Sequence, residues 1–167
     1  MLAGAGVAAG YALRGEDEAV PQVTTVTVSA ASGLPEAVER KRQEILAAAE
    51  SGDHDAVAAL ADPDGFEYTF GGPVEGGPAE YWRQLEQETD ERPLEALAAV
   101  LKLPYTLSRG IYYWPFAFDK QADEITEYET QLLQTIPGGS EVGESGYLGW
   151  RAGITPDGRW IFFVTGD

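Results

Sequence analysis

The segment from Tyr147 to Val164 constrains the fold more than any other part of the chain. Two apolar arms, Tyr147–Ile154 and Arg159–Val164, flank Thr155-Pro156-Asp157-Gly158. Pro, Asp and Gly in that order suit a tight turn with one residue at positive φ, which predicts a β-hairpin. In the second arm Trp160, Phe162 and Val164 alternate with Arg159, Ile161 and Phe163. Successive strand residues point to opposite faces, so both faces carry apolar groups and this strand is expected to be central.

What precedes the hairpin reads mostly as helix. Pro35 suits a first helical turn, and Val38, Ile45, Leu46 and Ala49 then follow at helical spacing until Gly52. Asp53 can cap a second helix with Val57, Leu60 and Ala61 on its apolar side, ended by Asp62-Pro63. Tyr81, Trp82 and Leu85 share a helical face within Pro78–Gln87, and Leu94, Leu97, Ala98 and Leu101 share another from Pro93 to before Pro104. Asp119 is a candidate cap for a helix carrying Ile125, Tyr128 and Leu132. Two further segments read as strand. Phe66-Glu67-Tyr68-Thr69-Phe70 alternates strictly, which sends three aromatics toward a core, and Tyr105–Phe118 is one bent strand or two short ones, marked by Gly110 and Pro115. The expected fold class is α+β: helices packed on a mostly antiparallel sheet that ends in a C-terminal β-hairpin.

The N-terminal region has a different character. Leu2–Leu13 carries no charge, and Arg14 then opens the polar stretch Gly15-Glu16-Asp17-Glu18. Twelve helical residues reach only ~18 Å, short of the ~30 Å of a bilayer core, so the piece reads as part of a signal peptide or membrane anchor. No basic region precedes it, which points to a start codon upstream of Met1. The tract from Val20 to Gly33, rich in Thr, Val and Ser, suits an extended solvated stalk. The organisation expected is therefore an export segment over residues 1–14, a linker over 15–33 and a single globular domain over 34–167. The protein is placed outside the cytoplasm, secreted or held to the membrane by its N-terminus.

Composition removes several classes of function. With 28 acidic against 11 basic side chains and a formal charge of -17, the chain repels phosphate backbones, so nucleic acid is not an expected partner. No cysteine is present and the one histidine is His54, so disulfides, thiolate chemistry, lipid attachment through cysteine and His-rich metal sites all lack their residues. Asp53-His54-Asp55 reads as a capped helix start, because consecutive residues there point apart. Asp62-Pro63-Asp64-Gly65 reads as a turn, lacking the spaced ligands of a calcium loop. The carboxylates Asp119, Asp123, Glu124, Glu127 and Glu129 read as a solvated face, although Asp123 and Glu127 stand four residues apart. No catalytic residue, metal or cofactor is assigned.

The aromatic residues are the stronger signal. Tyr112, Tyr113, Trp114 and Phe116 cannot all face one core; strand alternation sends Tyr113 and Trp114 to opposite sides, so one must reach a second layer, a cleft or solvent. On this ground Tyr68, Trp82, Tyr113, Trp114 and Trp150 are the candidate ligand-binding residues. The alternative is an aromatic core thick enough to absorb them.

Several stretches taken together, FEYTFGG over residues 66–72, Tyr81-Trp82, Trp114-Pro115-Phe116 and the terminal GYLGWRAGITPDGRWIFFVTGD, resemble a family of exported bacterial proteins with no assigned activity. The resemblance spans most of Leu34 to Asp167; it implies export and carries over no catalytic residue. An opening helical pair before a curved antiparallel sheet is also similar to the nuclear-transport-factor-like (cystatin-like) α+β roll, which implies a conical pocket. The interrupting helices and the lack of an Asp/Tyr pair depart from that pattern, and a fold alone does not carry a function.

The leading expectation is a non-catalytic extracytoplasmic domain that binds a small apolar ligand or a cell-envelope partner. One alternative is a hydrolase or isomerase using Tyr113 with Glu67 or Asp119. Another is a structural or regulatory module with an exposed apolar patch.

Overall fold

The computed structural model describes residues 33–138 and 142–166. The expected export segment and residues 15–32 of the linker lie outside the described residues. The fold is α+β, with helices against a mostly antiparallel four-stranded sheet whose last two strands form the C-terminal hairpin.

Four helices come first: α1 (Glu36–Ser51), α2 (His54–Ala58), α3 (Gly77–Glu88) and α4 (Pro93–Lys102). Most of their ends are set by the residues expected to set them, but α2 stops at Ala58, so Leu60 and Ala61 lie outside it and Asp62-Pro63 does not end it. Pro35 occupies the N-cap of α1, and Gly52, left-handed at φ 73°, ends it with its N–H on the Ala49 carbonyl. Asp53 Oδ1 accepts from the N–H groups of Asp55 and Ala56, both at 3.0 Å, and so starts α2. Prolines stand in the first turns of α3 and α4, where a missing N–H costs nothing.

The main sheet has the order β1 (Thr106–Ser108), β2 (Ile111–Trp114), β5 (Arg151–Ile154), β6 (Trp160–Val164). A separate two-stranded ladder joins β3 (Val142–Gly143) to β4 (Gly146–Tyr147). The Tyr105–Phe118 region thus resolves into two short strands, joined at Arg109 and Gly110, both with positive φ. After Trp114 a cis bond to Pro115 leads into a 3₁₀ turn, Phe116–Asp119.

Side-chain alternation in β6 differs from expectation. The register pairs Gly153 with Phe162 but Ile154 with Trp160, a bulge that leaves Ile161 without a cross-strand partner. One extra residue turns Trp160 and Phe163 to the same side, and both are fully buried. There they meet Trp82 from α3 and Trp150: Trp82 and Trp160 stack at 6.2 Å, Trp150 and Phe163 at 4.5 Å. Phe162 goes to the opposite face of the sheet.

β6 is also not central in the ladder. It is the last strand, and its outer edge is closed by an irregular segment: Asp62 N–H donates to Trp160 O at 2.9 Å, Glu67 N–H to Ile161 O at 3.0 Å, and Phe163 N–H to Glu67 O at 2.9 Å. This covering explains how an end strand can be apolar on both faces without offering a free edge. It also corrects the reading of Phe66–Phe70 as a strand with all three aromatics inward. Only Glu67 joins the sheet; Tyr68 is buried, whereas Phe70 is 57% exposed. The chain turns away once Thr69 Oγ1 accepts from Gly71 N–H, and that local bond replaces the next rung of the ladder.

A second correction concerns Asp119, which closes the 3₁₀ turn and caps no α-helix. The helix α5 (Glu127–Leu133) begins after Thr126, whose hydroxyl accepts from Glu129 N–H at 3.2 Å while Glu129 Oε2 accepts from Thr126 N–H at 3.0 Å. This reciprocal pair satisfies two otherwise orphaned donors. Asp123 belongs to a preceding 3₁₀ turn, so it and Glu127 share no helix face.

Glu129 is itself buried and lies 2.6 Å from Lys120 Nζ. Burial alone would raise its pKa, but the bond and charge of Lys120, with the bonds from Thr126, outweigh it, and the net displacement is downward. A carboxyl displaced downward by folding adds stability that is present above its unfolded value, ~4.3, and is lost as pH falls through the folded value. Glu129→Gln is therefore expected to cost about 1–2 kcal/mol at neutral pH. It should also lessen the further loss of stability on acidification below about pH 5. Urea unfolding at pH 7, 5 and 3 checks this; an acid limb as steep as that of the unaltered chain would remove Glu129 from the role.

Candidate functional site

The five aromatic candidates do not gather at one place. Trp82 and Trp150 belong to the core cluster with Trp160 and Phe163, and both are fully buried. Trp114, 1% exposed, packs near Tyr105 at 5.7 Å on the core side of β2. Tyr113 faces the other way, stacked on Phe118 at 3.8 Å with 7° between the planes and 5.7 Å from Phe162. It is the residue that alternation sends to a second layer, and Phe118 and Phe162 form that layer. Tyr68 is fixed by its own loop: its hydroxyl accepts from Val74 N–H at 2.8 Å. It also borders a hollow of about 420 Å³ with Phe66, Phe70 and Pro73.

The pairing of Tyr113 with a carboxylate is met only in part. Asp119 is near enough for its charge to add to burial in raising the Tyr113 pKa, which keeps the phenol protonated rather than ready to act as a base. Glu67 is not brought to it. Its segment follows β6 and β5 outward from β2, three strand spacings of ~4.8 Å, or about 14 Å.

A cleft of greater volume lies elsewhere, between the α1–α2 junction and α4, with Thr135 and Pro137 on its border and a volume of about 740 Å³. Small side chains create it. Ala49 near the end of α1 and Ala98 and Ala99 on α4 face the space, joined by Leu94 and Leu103, so the floor is apolar. The two helices are held together beside it by Arg42, whose Nη1 donates to the Leu101 carbonyl at 2.8 Å while its other nitrogens grip Glu39.

The rim is charged. Lys102 Nζ on α4 reaches Glu50 Oε1 on α1 at 2.6 Å; both are about half exposed, so the pair ties the walls only weakly. His54 Nε2 lies 3.1 Å from Glu86 Oε1, close enough for an ion pair but off the line of a hydrogen bond. The three residues Asp53, His54 and Asp55 do diverge: Asp53 caps the helix, Asp55 holds Arg83 at 2.5 Å, and His54 turns to the cleft. His54 is half-buried.

Two rim residues stand apart from this pairing. Arg42, Arg83, Lys102, Lys120 and Arg159 each sit within ion-pair distance of a carboxylate. Arg92 does not; its Nη1 donates only to the adjacent Glu91 carbonyl, at 2.7 Å. Among the described residues Glu95, in the first turn of α4, forms no ion pair either, and both side chains are exposed.

No motif marks this site in the sequence, because its residues are individually ordinary. The available signal was two alanine-rich helical faces in a chain otherwise rich in large aromatics. Among the described residues no group of three or more His, Asp or Glu side chains is placed to hold a metal ion, and no helix is long and apolar enough to cross a membrane. Comparisons with protein-family models, with curated proteins and with solved structures each give no match.

Proposed function

We propose that the protein is a non-catalytic binding domain that works outside the cytoplasm and holds a small ligand with an apolar body in the cleft between α1, α2 and α4. The observation that carries this reading is the cleft itself: about 740 Å³, floored by Ala49, Leu94, Ala98, Ala99 and Leu103 and edged by charge. That volume lies within the ~300–1,000 Å³ of small-molecule sites, which are commonly apolar with a few polar groups to orient the ligand. The extracytoplasmic part rests on the uncharged Leu2–Leu13 stretch and the Thr/Val/Ser tract after it. A cell-envelope partner carrying an apolar side arm would use the same floor.

The test is titration of the ¹⁵N-labelled full chain with indole, 4-methylpentan-1-ol and leucine, following the amides of Ala98 and Ala99. At least one probe is expected to shift these amides saturably, and Ala99→Trp, which fills the cleft from a half-exposed position, is expected to abolish the response. No saturable shift with any probe would overturn the cleft as a site. Recovery of the full chain in the cytosolic fraction of its own cell would overturn the proposed location.

A further inference from the structure

We infer that the ligand of the cleft is a small zwitterion of the α-amino-acid class with an aliphatic side arm, its carboxylate on Arg92 and its ammonium on Glu95. The inference rests on the binding role proposed for the cleft and adds the chemistry of what it holds.

Three observations converge. First, the charges at the rim are divided into committed and uncommitted sets. Lys102 holds Glu50 at 2.6 Å and His54 faces Glu86 at 3.1 Å, while Arg92 and Glu95 have no carboxylate or cationic partner among the described residues. A guanidinium is a planar fork that matches a carboxylate with two parallel hydrogen bonds, which an ammonium cannot do. Second, Arg92 is the N-cap of α4 and Glu95 is the third residue of that helix. Both flank its first turn and both line the cleft, so flexible side chains can take the two charged groups of a single small molecule. Third, the floor they border is aliphatic and small-featured, formed by Ala49, Leu94, Ala98, Ala99 and Leu103 with no Phe, Tyr or Trp in the lining, which fits a branched aliphatic arm better than a polar one.

Charge selects between ligands of one sign and both. An anion approaching a chain of formal charge -17 is repelled at long range, and a cation is drawn to carboxylates over the whole surface rather than to this cleft. A zwitterion has no net charge to be repelled or scattered, and it gains only where opposite charges stand together beside an apolar surface. Arg92, Glu95 and the floor meet that condition.

The experiment titrates the full chain with leucine and three analogues of the same shape: leucinamide, which lacks the carboxylate; 4-methylpentanoate, which lacks the ammonium; and 4-methylpentan-1-ol, which lacks both. Leucine is expected to bind at least tenfold more tightly than each analogue. In Arg92→Gln, leucine should weaken to the level of leucinamide while leucinamide itself is unchanged; in Glu95→Gln, leucine should weaken to the level of 4-methylpentanoate. Arg92→Lys should recover only part of the loss, because charge is restored and the fork is not. Both residues are exposed, and circular dichroism is the check that each variant folds. Equal affinities for leucine and the alcohol, or variants that weaken all four compounds alike, would overturn the inference while leaving the cleft a binding site. Failure of all four compounds to perturb the Ala98 and Ala99 amides would overturn the binding role as well.

Discussion

Trp160→Ala is expected to remove about 3–5 kcal/mol of stability, enough to leave a domain of ordinary stability, ~5–15 kcal/mol, largely unfolded under mild denaturant. Trp160 is fully buried and sits at the centre of the aromatic cluster, 4.6 Å from Phe66, 6.2 Å from Trp82 and 6.4 Å from Phe163 by ring centroids. Neighbouring rings are rigid and cannot collapse far into the space left behind, so the cavity term adds to the lost transfer term. Replacement by phenylalanine separates packing from hydrogen bonding. Among the described residues the indole N–H of Trp160 finds no hydrogen-bond partner, so its loss in Trp160→Phe forfeits no bond. Trp150 donates to Glu91 Oε2 at 3.1 Å, so Trp150→Phe forfeits that bond in addition to volume. Urea unfolding is expected to show Trp150→Phe the less stable of the two by about 1 kcal/mol. Equal midpoints would mean that the Trp150–Glu91 bond contributes nothing.

The second large effect is expected at Gly146, where an added Cβ would lie in contact with the Lys120 carbonyl oxygen, far inside van der Waals distance, at a backbone φ of 118°. Two costs combine at this position: a conformation that side-chain-bearing residues rarely adopt, and an obstacle made of main chain that cannot swing aside. Gly146→Ala is expected to lose on the order of 3 kcal/mol and to loosen β4 from the turn around Lys120. Gly153 supplies the contrast. A Cβ there would also collide, but with the ring of Phe162, a half-exposed side chain that can move. Gly153→Ala should therefore cost less, and in a chain that already carries Phe162→Ala it should cost little further. Thermal unfolding of the three variants ranks them; a Gly153→Ala loss that Phe162→Ala leaves untouched would show that the ring is not the obstacle.

Arg42 shows where helix-level reading stops. Its place on α1, four residues after Val38 and three before Ile45, lies on the face that periodicity assigns to apolar side chains, and a charged group is accommodated there because its guanidinium reaches the Leu101 carbonyl on α4. That long-range partner makes the burial tolerable, and nothing within α1 announces it. The same limit hid the cleft. Ala49, Ala98 and Ala99 read as ordinary helix formers, and only the packing of α1 beside α4 makes a common floor of them. Arg92 and Glu95 read as a charged helix start, and their lack of partners becomes visible only when every other charge near them has been placed.

Local chemistry was legible to the extent that it is self-contained. Gly52, Asp53, Pro78, Pro93 and the Thr155–Gly158 turn act through their own φ restrictions or through bonds to backbone two or three residues away. Thr126-Glu127-Tyr128-Glu129 carries the same kind of signal, and it outcompetes Asp119 because its two reciprocal bonds satisfy donors that a single cap leaves open. The sequence by itself thus determined most of the helix starts, the hairpin turn, the α+β class and the need for Tyr113 and Trp114 to part. Tertiary structure alone decided the bulge at Ile161, the closing of the β6 edge by residues 61–67 and the cleft beside α4. The reason is range: a cap or a turn is settled by neighbours in the chain, whereas register, edge protection and empty space depend on which distant segments pack together, and that is settled by the whole core at once.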